Sequence, residues 1–312
     1  NFCSIKQRRQ SCCHRYKSVE EKISHKCGHD GHITMAAGLA PLLNRTKIKN
    51  GRVVLLFQPA EETGEGASQI INDKKFDEIR PDYIFGLHNL PGFPAGKIVL
   101  RKDHFAAASK GMIVKLNGKT SHAAEPQNGI NPAKAISQII DFILSIKKEN
   151  VFKDFVLATI IFAKIGESAA FGTSAGYAEI MTTLRSTRND DMEKLTELIT
   201  REVKKIAEAE NLKLETGWTE EFPATINDAK CAAMLENAAR KNNFNFEFVD
   251  EPFRWSEDFG HFTNNFKGAF FGLGSGIDQP QLHNPDYDFP EEILEYGIKM
   301  FYELILNISE EE

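Results

Sequence analysis

The sequence is poor in cysteine, with five among 312 residues. Cys3, Cys12, Cys13, Cys27 and Cys231 are too few and too unevenly spaced for a disulfide-stabilised scaffold, and a chain of this length does not need one. We therefore expect a reducing compartment and, on that basis, a cytoplasmic protein.

A surplus of positive charge is also lacking. The chain has 38 Lys and Arg against 44 Asp and Glu, a net charge of -6, which disfavours nucleic acid and membrane surfaces as partners. No apolar run approaches the ~20 residues that span a bilayer. The longest run, residues 136–146, is interrupted by Gln138, Asp141 and Ser145. A soluble enzyme that acts on small molecules fits this composition better.

The predicted elements alternate in a way that is typical of an α/β catalytic domain built on a mixed or parallel sheet. Its most characteristic segment is Gly51–Phe57, a continuous apolar run of the kind found in buried parallel strands. The other elements predicted for this domain are helices over residues 33–44, 66–72, 228–242, 257–262 and 291–306, and strands over residues 83–87, 96–101, 246–249 and 268–273.

Between the predicted strand 96–101 and the predicted helix 228–242 the pattern changes to βαββαβ. Strands are predicted over residues 112–116, 155–165, 176–185 and 212–218, and helices over 132–147 and 190–209. This order is ferredoxin-like, and such a block can fold as an inserted domain. The sequence therefore predicts a discontinuous catalytic domain, residues 1–107 and 225–312, interrupted by an inserted domain, residues 108–224.

Metal-ligand chemistry is concentrated in residues 27–32, Cys-Gly-His-Asp-Gly-His. In such a segment the Cys27 thiolate and the His29 imidazole can point to the same side, and these donors suit Zn, Mn, Co or Ni better than Ca or Mg. An isolated Cys-x-His pair is more often a buried cysteine beside a histidine that caps a helix. The choice depends on what the rest of the chain supplies.

Further candidate ligands follow the predicted strands. Glu61 and Glu62 come after the apolar run, at the carboxyl end of a strand, where α/β sheets assemble their sites. One carboxylate can bind a metal while its neighbour moves a proton, although an acidic pair before a glycine is usually a solvated helix start. His88 follows the next strand, and His283 lies in a Leu-His-Asn segment. Together they predict a two-metal hydrolytic site.

Six motifs, in order, resemble the M20 metallopeptidase family and specifically its amidohydrolase branch, which includes hydrolases of hippurate, of N-acyl amino acids and of auxin conjugates. Each motif alone is weak, but six in order are specific. The resemblance extends from about residue 16 to the end of the chain. The motifs are residues 27–32, Phe-Gln-Pro-Ala-Glu-Glu at 57–62, Gly-Leu-His-Asn at 86–89, Ser-His-Ala-Ala-Glu-Pro at 121–126, Ser-Glu-Asp-Phe at 256–259 and Leu-His-Asn-Pro-Asp-Tyr-Asp-Phe at 282–289.

The resemblance implies a catalytic centre with two divalent transition-metal ions, Mn, Zn, Co or Ni. Cys27 would bridge the ions, and Glu61 would be general base and general acid in the hydrolysis of an N-acyl amino acid or a similar small amide by a metal-bridging hydroxide. His32 and Asp30 are candidates to orient the ligands. The implied metal ligands are Cys27, His29, Glu62, His88 and His283.

The resemblance also implies that the inserted domain is a lid and dimerisation domain, so that the protein would be a homodimer. His122 matches a histidine that stabilises the oxyanion, often across the dimer interface. Arg185 matches an arginine that holds the substrate carboxylate, a task for which the guanidinium group is suited.

The start of the chain departs from the family pattern. Only 26 residues precede Cys27, fewer than in relatives, where the preceding residues include a strand of the central sheet. Residues 1–16, rich in Cys and Arg, show neither strand nor helix periodicity and look foreign to the fold. The alternative to an active amidohydrolase is therefore a truncated, catalytically impaired or inactive relative that still binds metal or ligand.

Overall fold

The computed structural model describes residue 20 and residues 23–146, 151–167 and 170–310, and the unusual segment 1–16 lies outside this part of the chain. The α-helices are α1 (His29–Leu43), α2 (Gly66–Asn72), α3 (Ala133–Ser145), α4 (Asn189–Ala209), α5 (Ala229–Lys241), α6 (Gly260–Thr263) and α7 (Leu294–Glu310). The strands are β1 (Ile84–Pro91), β2 (Ile98–Leu100), β3 (Asp103–Ala106), β4 (Ala108–Asn117), β5 (Ser121–His122), β6 (Val156–Ile165), β7 (Thr173–Ser174), β8 (Tyr177–Ser186), β9 (Lys213–Phe222), β10 (Thr225–Asn227), β11 (Phe246–Phe248) and β12 (Gly268–Gly276). Within the described ranges, every helix is too short or too polar to cross a membrane.

The chain divides into two compact units. Unit 1 comprises the described residues up to Phe105, then Thr225–Pro252 and the described residues from Asp258 onward. Unit 2 comprises Ala106–Ala224 together with the short segment Phe253–Glu257. Unit 1 is therefore discontinuous in sequence.

Unit 1 is built on a four-stranded sheet in the order β1-β12-β2-β11. β1 runs parallel to β12 and β11 parallel to β2, whereas β12 and β2 are antiparallel. β12 is buried over its first eight residues, as expected for a strand covered on both faces. Leu235 of α5, Phe271 of β12 and Met300 of α7 belong to one apolar core. The predicted α/β fold with a mixed sheet is confirmed.

The predicted strand Gly51–Phe57 is wrong. Residues 52–58 form no ladder with any described strand, and the Val54 and Phe57 side chains are 41% and 51% exposed. An apolar run becomes a strand only where a neighbour satisfies its backbone hydrogen bonds, and among the described residues the sheet of unit 1 ends at β1. The helix predicted over residues 257–262 is only partly correct, since α6 begins three residues later and spans Gly260–Thr263.

Unit 2 has the βαββαβ order that the sequence predicts, β4-α3-β6-β8-α4-β9. Its antiparallel sheet has the spatial order β6-β8-β4-β9. β8 alternates strictly between buried and half-buried residues, so that one face of the sheet belongs to the core. α3 and α4 pack on the sheet and bury Ile136, Ile139 and Leu195.

Candidate metal centre

Cys27 and His29 are separated by a glycine that the local backbone requires. Gly28, the residue before α1, has φ +88°, a left-handed conformation that glycine adopts without strain. A Cβ at this position would lie 2.4 Å from Oδ1 of Asn89, so a larger residue does not fit. The turn brings the buried Cys27 thiol and the buried His29 imidazole close together.

Glu61 and Glu62 lie on a tight turn. Ala60 at φ +53° and Gly64 at φ +73° bracket a single 3-10 turn, and the amide of Gly64 closes it by donating to the Glu61 carbonyl at 2.8 Å. The side chains of Glu61 and Glu62 are 13% and 25% exposed. Both carboxylates are therefore partly desolvated and still reachable by a small molecule.

Cys27 lies between two imidazoles. Its Sγ is 3.3 Å from Nε2 of His88 and 3.3 Å from Nε2 of His283. A sulfur and a nitrogen bound to one tetrahedral zinc, at about 2.3 Å and about 2.1 Å, would lie about 3.6 Å apart. Either separation suits a pair of ligands on one ion, and the same sulfur can serve an ion on each side.

The two carboxylates lie close to His29 and His283. Oε2 of Glu61 is 3.5 Å from Nε2 of His29. Oε1 of Glu62 is 3.9 Å from Nδ1 of His29, and its Oε2 is 3.6 Å from Nε2 of His283. The structure thus brings all five predicted ligands and Glu61 together in unit 1. Groups whose ligand atoms lie within 4.8 Å of one another are Cys27–His29–His88, Cys27–Glu62–His283 and His29–Glu61–Glu62.

The burial of these side chains fits a pair of cations. Nε2 of His29 and Oε1 of Glu62 are buried without a hydrogen-bond partner, a rare condition that a bound cation would satisfy. Burial, reinforced by the nearby His88, lowers the pKa of His29 to about 3, and burial lowers the pKa of His88 to about 4. Both rings are therefore neutral at neutral pH, the state in which imidazole binds metals.

Asn89 fixes the orientation of His88. Nδ1 of His88 donates to the Asn89 carbonyl at 2.8 Å, which turns Nε2 toward Cys27. Asn89 is fully buried; its Nδ2 donates to the Tyr287 hydroxyl at 2.7 Å, and its Oδ1 is 2.7 Å from Nε2 of His32. His32 therefore contacts the residue that orients a candidate ligand, whereas Asp30 is exposed.

Lys26 connects the loop of His283 to the Cys27 segment. The His283 amide donates to the Lys26 carbonyl at 2.6 Å, and Nζ of Lys26 donates to the Tyr287 carbonyl at 2.7 Å. Lys26 is 3% exposed. Sequence reasoning assigned no role to Lys26, Asn89 or Tyr287; their position beside or within the metal-ligand motifs was the available signal.

His122 and Arg185 lie in unit 2. His122 ends β5 and is exposed, and its Nδ1 accepts from the Ala124 amide at 3.1 Å. Arg185, on β8, donates through Nη1 to the Arg254 carbonyl at 2.8 Å and to Oγ of Ser256 at 3.1 Å. The roles predicted for both residues in substrate binding and catalysis stay predictions.

Comparison with known sequences identifies the family. The family model for Peptidase family M20/M25/M40 matches residues 7–307. The chain is 31% identical over 293 residues to a hippurate hydrolase of Campylobacter jejuni, a match covering 93% of this chain and 76% of the relative. It is 30% identical over 291 residues to an N-acetyl-L-cysteine deacetylase of Bacillus subtilis, covering 92% of this chain and 68% of the relative.

Comparison with solved structures gives the same fold. A Bacillus subtilis protein described as a dinuclear metal binding peptidase of the M20 family superposes with a TM-score of 0.81 at 24% identity, covering 100% of this chain and 80% of that one. The resemblance inferred from the six motifs is confirmed. The chain therefore belongs to Peptidase family M20/M25/M40 and is a hydrolase of amide bonds.

Proposed function

We propose that this chain is a metal-dependent amidohydrolase that releases the acyl group from N-acyl amino acids or similar small amides. The observation that carries the proposal is a cluster of one thiol, three imidazoles and two carboxylates, in which two buried atoms, Nε2 of His29 and Oε1 of Glu62, have no hydrogen-bond partner. The similarity to a hippurate hydrolase and an N-acetyl-L-cysteine deacetylase supports the substrate class. The alternative is an impaired or inactive relative that binds metal without turnover.

Two divalent transition-metal ions would be held by overlapping ligand sets. Cys27, His29 and His88 form one set, and Cys27, Glu62 and His283 form the other, so that Cys27 is common to both. Thiolate and imidazole donors favour Zn, Co, Ni or Mn over Ca or Mg. The likeness to the dinuclear metal binding peptidase supports the number of ions.

Glu61 is the proposed general base and general acid. Bound divalent ions would polarise the amide carbonyl and lower the pKa of water. The Glu61 carboxylate would take the proton of the attacking water and return it to the nitrogen of the leaving amine, as the partial exposure of Glu61 allows. Glu62 is the better ligand of the pair because it lies near both His29 and His283.

His122 and Arg185 are the proposed substrate contacts. His122 would donate a hydrogen bond to the developing oxyanion, and its exposure leaves the ring accessible. Arg185 would hold the substrate carboxylate. Its Nη1 donates to Arg254 and Ser256, but a guanidinium has five N–H donors in all, which leaves others for the substrate. Arg185→Gln is expected to raise KM more than it lowers kcat, and an unchanged KM would contradict this role.

We further propose a homodimer formed through unit 2. Among the described strands, β6 is an edge strand of its sheet, and four apolar side chains along it are 41–62% exposed: Leu157, Ile161, Phe162 and Ile165. An apolar edge strand of this kind favours pairing with a second copy. Light scattering is expected to give the mass of two chains, and of one chain for Ile161→Lys; a dimeric Ile161→Lys would argue against this interface.

The direct test of the proposed chemistry is Glu61→Gln. The purified chain, supplied with Mn, Co or Zn, is assayed with benzoyl- and acetyl-amino acids. Glutamine keeps the shape of Glu61 but takes no proton, so kcat is expected to fall by about 10²–10⁴-fold while the metal content stays the same. The matched control is Glu65→Gln, an exposed carboxylate at the end of the same turn, which is expected to keep full activity.

Three results would count against parts of this proposal. Normal activity of Glu61→Gln would contradict the role of Glu61. A folded wild-type chain that binds metal without hydrolysing any acyl amino acid would support the inactive alternative. A folded chain that stays metal-free at saturating metal would contradict the site itself.

A further inference from the structure

Asp258 is a buried carboxylate that the proposed chemistry does not use. It is 1% exposed, it belongs to unit 1, and it is absent from the three groups of candidate metal ligands among the described residues. Burial raises its pKa, against the effect of hydrogen bonds from Ala67 and Gln58. A buried carboxylate is costly unless it is well hydrogen-bonded, so its partners indicate what it does.

Those partners lie on either side of the turn that carries Glu61 and Glu62. Nε2 of Gln58 donates to both carboxylate oxygens of Asp258, at 2.8 and 2.7 Å. The backbone amide of Ala67, in the first turn of α2, donates to Oδ2 of Asp258 at 2.9 Å. One carboxylate therefore holds the chain three residues before Glu61 and five residues after Glu62.

The segment between these two anchors is closed on itself. The Gly66 amide donates to the Ala60 carbonyl at 3.1 Å, and the Gly64 amide to the Glu61 carbonyl at 2.8 Å. A Cβ on Gly66 would lie 1.8 Å from the Pro59 carbonyl oxygen, so the two ends of the loop pass in close contact. These contacts tie the two ends of the loop to each other, and Asp258 ties both ends to the residues before α6.

Among the described residues, no sheet holds the segment 52–58 that leads into the loop. Residues 52–58 form no ladder with a described strand, so backbone pairing with those strands does not fix where Gln58 lies. Asp258 supplies a contact at this point, and it is itself placed immediately before α6 in unit 1, with its carbonyl accepting from the His261 amide at 2.9 Å. The contact thus connects Gln58, at the end of this segment, to the residues that begin α6.

We propose that Asp258 is a positioning residue that holds Glu61 and Glu62 at the correct distance from His29 and His283. This inference rests on the proposed function for its effect on turnover. Its effect on the loop does not depend on that function. Removing Asp258 releases Gln58 and the Ala67 amide together, so both carboxylates lose their fixed position although neither is changed chemically.

The test compares Asp258→Ala with Asp258→Asn. Alanine removes both anchors. Asparagine still accepts from the Ala67 amide. It can also pair with Gln58 once the Gln58 side-chain amide flips, because a flip exchanges the donor and acceptor ends of a primary amide. Asp258→Ala is expected to lower kcat by about 10–100-fold, the usual effect of removing a residue that orients ligands, with KM little changed. Asp258→Asn is expected to restore most of the activity.

A second readout works without turnover. In the metal-free protein, amide hydrogen exchange of residues 58–67 is expected to accelerate in Asp258→Ala while α5 and α7 keep their protection, and titration with Co²⁺ is expected to show weaker binding. The matched control is Asp228→Ala, which removes a carboxylate that accepts from the Cys231 amide at 3.0 Å at the start of α5. This control is expected to leave exchange in residues 58–67 and Co²⁺ binding unchanged.

The outcomes distinguish the positioning role of Asp258 from the proposed amidohydrolase function. A wild-type chain without metal-dependent turnover would overturn the proposed function, and hydrogen exchange would still decide the anchor. Wild-type exchange and Co²⁺ binding in Asp258→Ala would overturn the anchor, as would an Asp258→Asn variant as impaired as Asp258→Ala. If Asp258→Ala does not fold, Gln58→Ala replaces it: faster exchange over residues 58–67 supports the anchor, and unchanged exchange overturns it.

Discussion

Replacing Gly28 with alanine perturbs the candidate metal centre without touching any candidate ligand. Gly28 lies between Cys27 and His29 at φ +88°. The new Cβ would be 2.4 Å from Oδ1 of Asn89 and 2.9 Å from Cδ2 of Phe289, distances at which something must move. The Asn89 side chain would have to shift. Asn89 is also the residue whose carbonyl accepts from Nδ1 of His88 and so orients that candidate ligand.

Gly51→Ala is the matched control for the stability loss of Gly28→Ala. Gly51 has φ +85° and open space around its Cβ position, so Gly51→Ala carries the left-handed penalty alone, roughly 1–2 kcal/mol. Gly28→Ala carries the same penalty and also displaces Asn89, whose amide donates to the Tyr287 hydroxyl at 2.7 Å. A disrupted buried hydrogen bond adds about 1–3 kcal/mol. Gly28→Ala should therefore be the more destabilising change by about that amount.

Two assays separate these contributions. Urea unfolding of the metal-free protein measures the stability difference between the variants. Titration with Co²⁺ or Zn²⁺ is expected to show about 10–100-fold weaker binding in Gly28→Ala and wild-type binding in Gly51→Ala. Equal stability losses with equal metal affinity in the two variants would refute the reasoning, because the contact with Asn89 would then have no consequence.

Three further outcomes are expected. Tyr287→Phe removes the acceptor of the Asn89 amide and should lower the free energy of unfolding in urea by about 1–3 kcal/mol; an unchanged midpoint would contradict this contact. The metal-free protein should lose stability as the pH falls below 6.5, because the unfolded imidazoles of His29 and His88 bind protons there while the folded ones titrate near pH 3 and 4. A urea midpoint that is the same at pH 7.5 and 5 would speak against that shift. Burial and Asp228 raise the pKa of Cys231 to about 12, so iodoacetamide at pH 8 should leave the Cys231 peptide unmodified in the native protein and modify it in urea, as mass spectrometry would show.

The fold was predictable where the local pattern and the tertiary environment agree. The apolar residues of β12 and the alternation along β8 specify buried strands, and the structure has both. The run Gly51–Phe57 has the same apolar character and no ladder among the described strands. A strand depends on its neighbours for its hydrogen bonds, and no property of the run itself reveals whether a neighbour is present.

The site was predictable for the residues whose chemistry is unusual and not for those that hold them. Cys27, Glu62 and His283 are distant in sequence, yet soft or charged donors in recurring motifs pointed to one cluster, and the structure brings them together. Asn89 and Asp258 lie in two of the six motifs, but their residue types alone indicate no role. Their importance comes from burial and from partners 198 and 191 residues away, which only the folded chain defines.

We propose that the Cys27 sulfur would bind both ions. Elemental analysis of the metal-loaded protein, with X-ray absorption at the metal edge, tests it most directly. We expect two ions per chain and a sulfur ligand at about 2.3 Å, with both the sulfur signal and the second ion lost in Cys27→Ala. One ion per chain, or an absorption spectrum without sulfur, would contradict it.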